Sequence, residues 1–531
     1  MTLEKDLLRY EQAKKRKSQF DLLYEDAIRY SAPHRDSHLE YTEGASKNNA
    51  DVVFDSTAMI AMQKFASNLQ SSLCPPMKKW INLKGGYMVD EQNKEQVAKD
   101  LQKVRDVMFN FLHSSNFDTQ VSESFLDLAV GTGALLLQKG TKGKPFRFVS
   151  VPISQICLEE AADGRVGAIF RTNKVAARSI KDVWPNAKLD KEFNEWAKEQ
   201  GDKKIEFAEM LIPEKITVDV EDGNGVKRKT KVDGFRYSVV AEKKKKRILN
   251  EATQSNPWIV FRWSVMPGEV MGRGPVTFSL PDIKTLNKTK ELTLKNASMA
   301  IAGAWTVRDD GVVNVNTVQI YPGAKIPVES NDGGVYGASI KRLEAAGNFD
   351  VSNLIIQDLR RTINEMMFAE PLGPIDLPVK SATEVSLRQQ ELSKRIGSAF
   401  GRLQYEFIGP LINRMLHILE EFGHIDVQNF RADGGVINIQ HTSPLAMAQD
   451  EEELISVFRY SEFIVQQYGP EVAAILLPPE KVLGPVGELL NVPEDIKPTK
   501  QQLQQIAQMA RGALTAQAQA AQTQQDAPQG A

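Results

Sequence analysis

Two stretches of helical periodicity, parted by a short island of alternating and turn-forming residues, constrain this chain more than any other feature. From Pro275 to about Gly303 the apolar residues recur at three- and four-residue steps. Val313, Val315, Val318, Ile320 and Ile326 then alternate in the manner of strands, between turns near Asp309–Gly311 and Asn331–Gly334. Helical spacing returns from about Val351 to Met367. A helix, a β island and a second helix in that order read as a helical hairpin with a β tip.

The sequence before this hairpin reads as one α+β unit. Leu8, Phe20, Leu22, Leu23, Ala27 and Tyr30 could share a broad face of a helix that Pro33 ends. Residues 34 to 54 are polar and irregular. Ser56 can cap a helix carrying Ala58, Ala61, Phe65, Leu69 and Leu73, stopped by Pro75 and Pro76. Further helices are expected over Asn93–His113 and Thr119–Val130, the latter leading into Gly131-Thr132-Gly133. The period then becomes strand-like, as in Ala134–Leu137, Phe146–Val149 and Ala168–Arg171. A helical patch at 180–200 intervenes before strands resume between Lys204 and Trp263.

After the hairpin comes a loop, Glu370 to Val379, rich in proline and glycine. A long helix from Ser381 or Thr383 to about Glu421 follows, with bends expected at Gly397, Gly401 and Gly409-Pro410. Asp450 to Tyr468 is helical in pattern, and Pro470, Pro478, Pro479 and Pro485 break the next stretch. From Lys500 the chain is mostly Gln and Ala, and Asp526 to Ala531 is expected to be disordered.

Motifs that carry chemistry are missing. Gly140-Thr141-Lys142-Gly143-Lys144 lacks the spacing of a phosphate loop and reads as a β-turn. Gly131-Thr132-Gly133 lies between helix and strand, the wrong order for a dinucleotide fingerprint. Neither a nucleophile elbow nor a His-Glu-x-x-His helix occurs. The six histidines are scattered and the two cysteines, Cys74 and Cys157, form no metal-binding pair. These readings point away from an enzyme, a cofactor or a metal. The start of the chain lacks a signal-peptide core and no apolar run is long enough for a membrane span. A net charge of -2 over 531 residues leaves room only for weak, local contact with nucleic acid. Lys243 to Arg247 is the densest basic run, and it sits between two strands as a solvated hairpin end would.

Pro257 to Pro275 reads Pro-Trp-Ile-Val-Phe-Arg-Trp-Ser-Val-Met-Pro-Gly-Glu-Val-Met-Gly-Arg-Gly-Pro. This run resembles the segment before the first stem helix in portal (head-to-tail connector) proteins of T7-like short-tailed bacteriophages. Ala58 to Leu83, Phe125 to Gln138, and Thr383-Glu384-Val385 opening a long helix resemble other blocks of that family, in the same order. The resemblance spans nearly the whole chain.

It implies an α+β portal fold in a ring-forming subunit. The α/β wing would occupy 1–275, the first stem helix 276–303, a small β-containing clip 304–347 and the second stem helix 348–368. The channel or tunnel loop would take 369–381, a long kinked helix returning to the wing 382–446, a helical crown 447–500 and an Ala/Gln-rich, partly disordered tail 501–531. It further implies a dodecameric ring at one capsid vertex of the virion, assembled in the host cytoplasm. Double-stranded DNA would enter during genome packaging and leave during ejection through this channel. The partners implied are the terminase large subunit, the tail adaptor or tail tube protein, scaffold and major capsid protein, internal core proteins, and DNA bound without sequence preference, with no membrane. The competing reading is another virion structural protein, an internal core or scaffold component without a DNA channel. Such a protein would show longer uninterrupted heptads.

On this resemblance, Lys284, Lys288, Lys295, Arg360 and Arg361 are candidates for the DNA-facing side of the stem. Residues 281–300 hold four lysines against Asp282 and Glu291, a local charge of +2. The plainer account is solvated faces of packed helices. Leu354, Ile355, Leu359, Ile363 and Met366 form the expected packing stripe of the second helix. In the loop, Leu372, Ile375 and Leu377 would narrow the channel, Gly373 would permit an unusual backbone angle and Lys380 would lie near DNA, or the loop is simply a rigid connector. Asp309, Asp310, Asn331 and Asp332 are the docking candidates on the clip.

Overall fold

Helix α1 (Leu3–Ser31) opens the chain, and α2 (Thr57–Leu73) is next. Ser56 stands at the N-cap position of α2, its carbonyl accepting from the Ile60 N–H at 3.1 Å, and Asp55 supplies the side-chain acceptor: its Oδ1 accepts from the Thr57 backbone N–H at 2.9 Å. Then come β1 (Ile81–Gly85), α3 (Lys94–His113) and α4 (Phe117–Val130). Strands β2 (Thr132–Thr141), β3 (Lys144–Ser150), β4 (Ile156–Glu160) and β5 (Val166–Ala176) precede the short helices α5 (Ile180–Val183) and α6 (Lys191–Glu199). Strands β6 (Lys204–Glu221), β7 (Lys227–Ala241), β8 (Lys246–Thr253) and β9 (Trp258–Arg262) lead to α7 (Pro275–Ala302). After α7 stand β10 (Ala304–Val307), β11 (Ile340–Leu343) and α8 (Phe349–Met366). A π-helical turn at Gln404–Ile408 runs into α9 (Gly409–Glu421); β12 (Ile437–His441) and α10 (Pro444–Leu476) complete the order.

This computed structural model describes residues 3–35, 53–86, 94–162, 164–221, 227–302, 304–307, 340–343, 349–369, 399–425, 437–441 and 444–477, with a few single positions elsewhere. The mixture of helix and sheet agrees with the α+β reading. The chain divides into two units. One comprises Met1–Leu23, Gln63–Gly274 and Pro371–Ala531, the other Tyr24–Met62 and Pro275–Glu370.

In the first unit, β4 to β8 form an antiparallel five-stranded sheet in sequence order. Period-two alternation gives this sheet two buried faces. Ala208, Met210 and Val240 point toward Tyr10 and Ala13 of α1, while Phe207, Val239 and Ala241 point toward Ile180, Trp184 and Phe193. The N-terminal helix is therefore one cover of the sheet, and α5 with α6 the other.

A second antiparallel sheet orders its strands β3-β2-β9. Lys142 and Gly143 make the two-residue connection between Thr141 and Lys144, so the glycine run is a hairpin turn. Phe125, Phe261 and Phe407 meet beneath this sheet with ring centroids 4.7 to 5.9 Å apart. Strand β12 pairs with β1, which returns the chain end to its beginning.

In the second unit, β10 pairs antiparallel with β11, and α7 packs against α8. The helical pattern expected for Asp450–Tyr468 extends over the whole of α10, whose regular path breaks at Gly469 (φ 80°) just before Pro470. Among the described residues no helix is long and apolar enough to cross a membrane. Cys74 and Cys157 are buried free thiols, and burial pushes both up from the ordinary thiol range.

Candidate functional site

The turn from Gly268 to Gly274 explains its own composition. The Gly268 φ of +87° is a region that L side chains rarely adopt. Gly272 and Gly274 answer a different need. A Cβ on Gly272 would lie 2.3 Å from the Gly131 carbonyl oxygen, and one on Gly274 would lie 2.2 Å from that of Ala129. Backbone thus packs directly on backbone at the α4–β2 corner. The Gly274 N–H donates to Val130 O at 2.9 Å, and the Gly272 N–H to Thr132 Oγ1 at 2.9 Å. Arg273 and Glu269 pair across the turn at 2.6 Å. Arg262 ends β9 and donates to Val270 O at 3.0 Å. The conspicuous Arg, Glu and Gly residues of the run are therefore a knitted structural corner, directly followed by α7.

In the second unit, α7 and α8 bury complementary faces. Val276, Leu280, Ile283 and Leu286 are buried on the first helix, and Ile356, Ile363 and Met367 mark the buried side at the second. The expected stripe of α8 needs correction. Ile363 is buried, but Leu354 (71% exposed), Ile355 and Met366 face outward. The apolar arc of α8 is wider than one partner helix can cover, so picking its inner edge from spacing alone placed it two residues off. Leu292 and Leu294 on α7 are exposed too, leaving an apolar outer surface on the pair.

A family model described as bacteriophage head to tail connecting protein matches residues 5–497. The chain belongs to this family. It is 23% identical over 549 aligned positions to the portal protein of Salmonella phage epsilon15, covering 97% of this chain and 93% of that protein. Over 209 positions it is 24% identical to a probable portal protein of Bordetella phage BPP-1, covering 38% of this chain and 36% of that one. Among solved structures, a chain in the virion of a native gene transfer agent particle is similar with a TM-score of 0.34 at 11% identity, covering 85% of this chain and 92% of that one. A chain in the neck of an empty particle of the same kind gives 0.35 at 11%, covering 83% and 92%.

The basic residues singled out on this connector's helices are mostly engaged. Lys284 pairs with Asp26 at 2.5 Å, and Lys288 and Lys295 share Glu291 at 2.9 and 2.6 Å. Arg360 donates twice to Asp55, from Nη2 at 2.5 Å and Nε at 3.1 Å. Arg361 is exposed and makes no ion pair with the described residues. The Lys288 and Lys295 side chains are 64% and 68% exposed, and a pair with so exposed a member holds it only weakly. Leu372, Gly373, Ile375, Leu377 and Lys380, and Asp309, Asp310, Asn331 and Asp332, lie outside the described residues.

Sequence reasoning passed over two polar residues that organise this unit. Asn287 Oδ1 accepts from the backbone N–H of Phe54 at 2.7 Å and of Asp55 at 3.3 Å. Asp55 caps α2 and receives Arg360. Burial works to raise the Asp55 carboxyl, but hydrogen bonds from Thr57 and Arg360 outweigh it and hold the group below the usual carboxylate range. The Asp-Ser-Thr run was a legible capping signal; Arg360 as its distant partner was not. The Lys243–Arg247 cluster is also spoken for: Lys244 pairs with Glu192 and lies over the Trp196 ring, Lys246 pairs with Asp190, and Arg247 with Asp6.

Proposed function

We propose that this connector assembles as a closed ring of about twelve subunits around a channel for double-stranded DNA. The supporting observation is the outward apolar surface of the α7–α8 pair. Leu292, Leu294, Leu354 and Ile355 stand in water in the single chain, and a neighbouring copy of the same pair would cover them. In this reading α7 and α8 are the stem, residues 304–347 the clip and 369–381 the channel loop.

Of the five cations singled out on the stem, Lys288, Lys295 and Arg361 are held least firmly, so they are the ones proposed to meet DNA phosphates. Each such contact is weak and screened by salt, which suits a duplex that must slide. Lys284 and Arg360 take structural roles, tied to Asp26 and Asp55. The loop residues Leu372, Ile375 and Leu377 would narrow the passage, with Gly373 allowing the bend and Lys380 near DNA. Asp309, Asp310, Asn331 and Asp332 would face the terminase large subunit during packaging and the tail adaptor or tail tube protein afterwards. Scaffold, major capsid protein and internal core proteins are the further neighbours this role requires, at a unique capsid vertex assembled in the host cytoplasm. No catalytic step and no cofactor is needed of the ring itself.

Negative-stain imaging of the purified protein tests the assembly. Rings with a central hole are expected from the wild type, and Leu354→Asp with Ile355→Asp should yield monomers. A wild-type protein that stays monomeric under all assembly conditions contradicts the reading. Packaging tests the channel: Lys288→Glu with Lys295→Glu should form rings yet lower the DNA packaged per head, and unchanged packaging would remove these lysines from the channel wall.

A further inference from the structure

A groove of about 1420 Å³ opens within the first unit, between the β2–β3 hairpin, the outer end of β8, the loop at Trp184 and helix α9. Arg414 lines it from α9. Its Nη1 donates to Ser255 Oγ at 2.5 Å. Its Nε is buried without a partner, and no carboxylate among the described residues pairs with the guanidinium. Two of the acids in the same walls are committed elsewhere: Glu421 to Lys139, and Glu251 to the Asn186 amide at 2.8 Å. Burial pulls Arg414 down to about 10, and the charge of Glu421, which works the other way, does not offset it. His417, one helical turn along, is held below its ordinary range by burial and then by Arg414, so it adds no second charge at neutral pH. Cations drawn partly out of water are ordinarily paired, and this half-buried one touches no carboxylate among the described residues.

The shape and lining choose the anion. The groove exceeds the roughly 300–1,000 Å³ typical of small-molecule pockets. Its walls mix Asp182, Glu251 and Glu421 with Lys139, Lys144 and Arg147, an interspersed pattern that gives a polyanion no continuous basic track, whereas a single carboxylate can sit against the guanidinium fork. Phe111, Phe146 and Trp184 supply apolar wall beside the charge.

We propose that this groove is a docking site for an acidic segment of another polypeptide, one carboxylate side chain of which pairs with Arg414. The assignment does not depend on the ring or its channel.

Selection of a random dodecapeptide display library on the immobilised full-length protein tests it. Recovered peptides should share an Asp or Glu next to an aromatic or aliphatic residue. The most enriched peptide, made synthetically and labelled, should bind at least tenfold more weakly to Arg414→Gln in an anisotropy titration, and less weakly to Arg414→Lys. Replacing the peptide's own acid by its amide should weaken binding to the wild-type protein by a similar factor, which carries the test even where a protein variant fails to fold. Four results overturn the proposal: no enrichment; peptides without acids; equal binding to Arg414→Gln; or binding of inorganic phosphate alone, which would mark a free-anion site. Enriched peptides that match an acidic stretch of this chain would place a second copy in the groove and overturn the assignment to a different protein.

Discussion

Arg262 at the end of β9 and Glu406 in the π-helical turn form a buried ion pair, Nη2 to Oε1 at 2.6 Å and Nε to Oε2 at 3.2 Å. The same carboxylate also accepts the Arg262 backbone N–H at 2.9 Å. The Arg262 side chain is only 3% exposed, and that of Glu406 12%. The extra residue of a π turn re-aims the side chains of a helix, and here it coincides with Pro410, which has no N–H to give the preceding turn. Glu406→Ala leaves the guanidinium with only the Val270 carbonyl, so the expected loss is about 3–5 kcal/mol. Urea denaturation followed by tryptophan fluorescence checks it. A loss near 1 kcal/mol, the scale of a surface pair, would show that water reaches Arg262.

The N-terminal helix is expected to loosen at both ends of the pH scale. Burial works to raise the Asp6 carboxyl, but the hydrogen bond and charge of Arg236, with the charge of Arg247, hold it below the ordinary range. A lowered folded value means that the stabilisation is complete above the unfolded value, about 3.9, and is lost as pH falls through the folded one. Tyr10 is the opposite case. Burial pushes its phenol up to about 12, so the neutral ring stabilises fully below about 10, and stability declines between there and 12. Hydrogen exchange of α1 amides against pH measures both edges. Asp6→Asn should remove most of the acid-side dependence and cost about 3 kcal/mol at neutral pH.

The helices and the α+β class were legible because periodicity is a local signal, and the β2–β3 turn because the Gly140–Lys144 run stands between two strand-like stretches. The pairing of the α7 lysines was not legible. Glu291 is within one turn of Lys288 and Lys295 and could have been noticed, but Asp26 lies 258 residues from Lys284 and only the fold brings them together. The inner edge of α8 was misread for a related reason. Leu354, Ile355, Ile356, Leu359 and Ile363 are all apolar, and periodicity does not say which of them meets α7 and which meets a surface left open.

Glycines in this chain should separate by what surrounds them. Gly272→Ala and Gly274→Ala drive a Cβ into a backbone carbonyl that has no side chain to swing away, and should cost about 3 kcal/mol or prevent folding. Gly268→Ala meets open space, so only its positive φ counts, at about 1–2 kcal/mol. Gly401 is exposed and helical with nothing near its Cβ position, so Gly401→Ala should stabilise by about 1 kcal/mol. Differential scanning calorimetry of the four variants checks the order. Gly272→Ala melting with the wild type would remove the backbone-contact account of the motif.

Asp55 and Arg360 allow two functions of one carboxylate to be told apart. Asp55 accepts from Thr57 at the start of α2 and from Arg360 on α8. Arg360→Gln removes only the ion pair, and because the arginine side chain is 42% exposed, solvent takes over much of that contact. A loss of about 1 kcal/mol or less is expected. Asp55→Ala removes the pair and the cap together, and a lost cap adds about 1 kcal/mol. Asp55→Ser keeps a cap acceptor without the charge, and should fall between the two. Equal losses for Asp55→Ala and Arg360→Gln would mean that the cap contributes nothing, and that the α2 start is held by Asn287 through the Phe54 and Asp55 amides instead. Asn287→Ala would then become the most damaging change of the set.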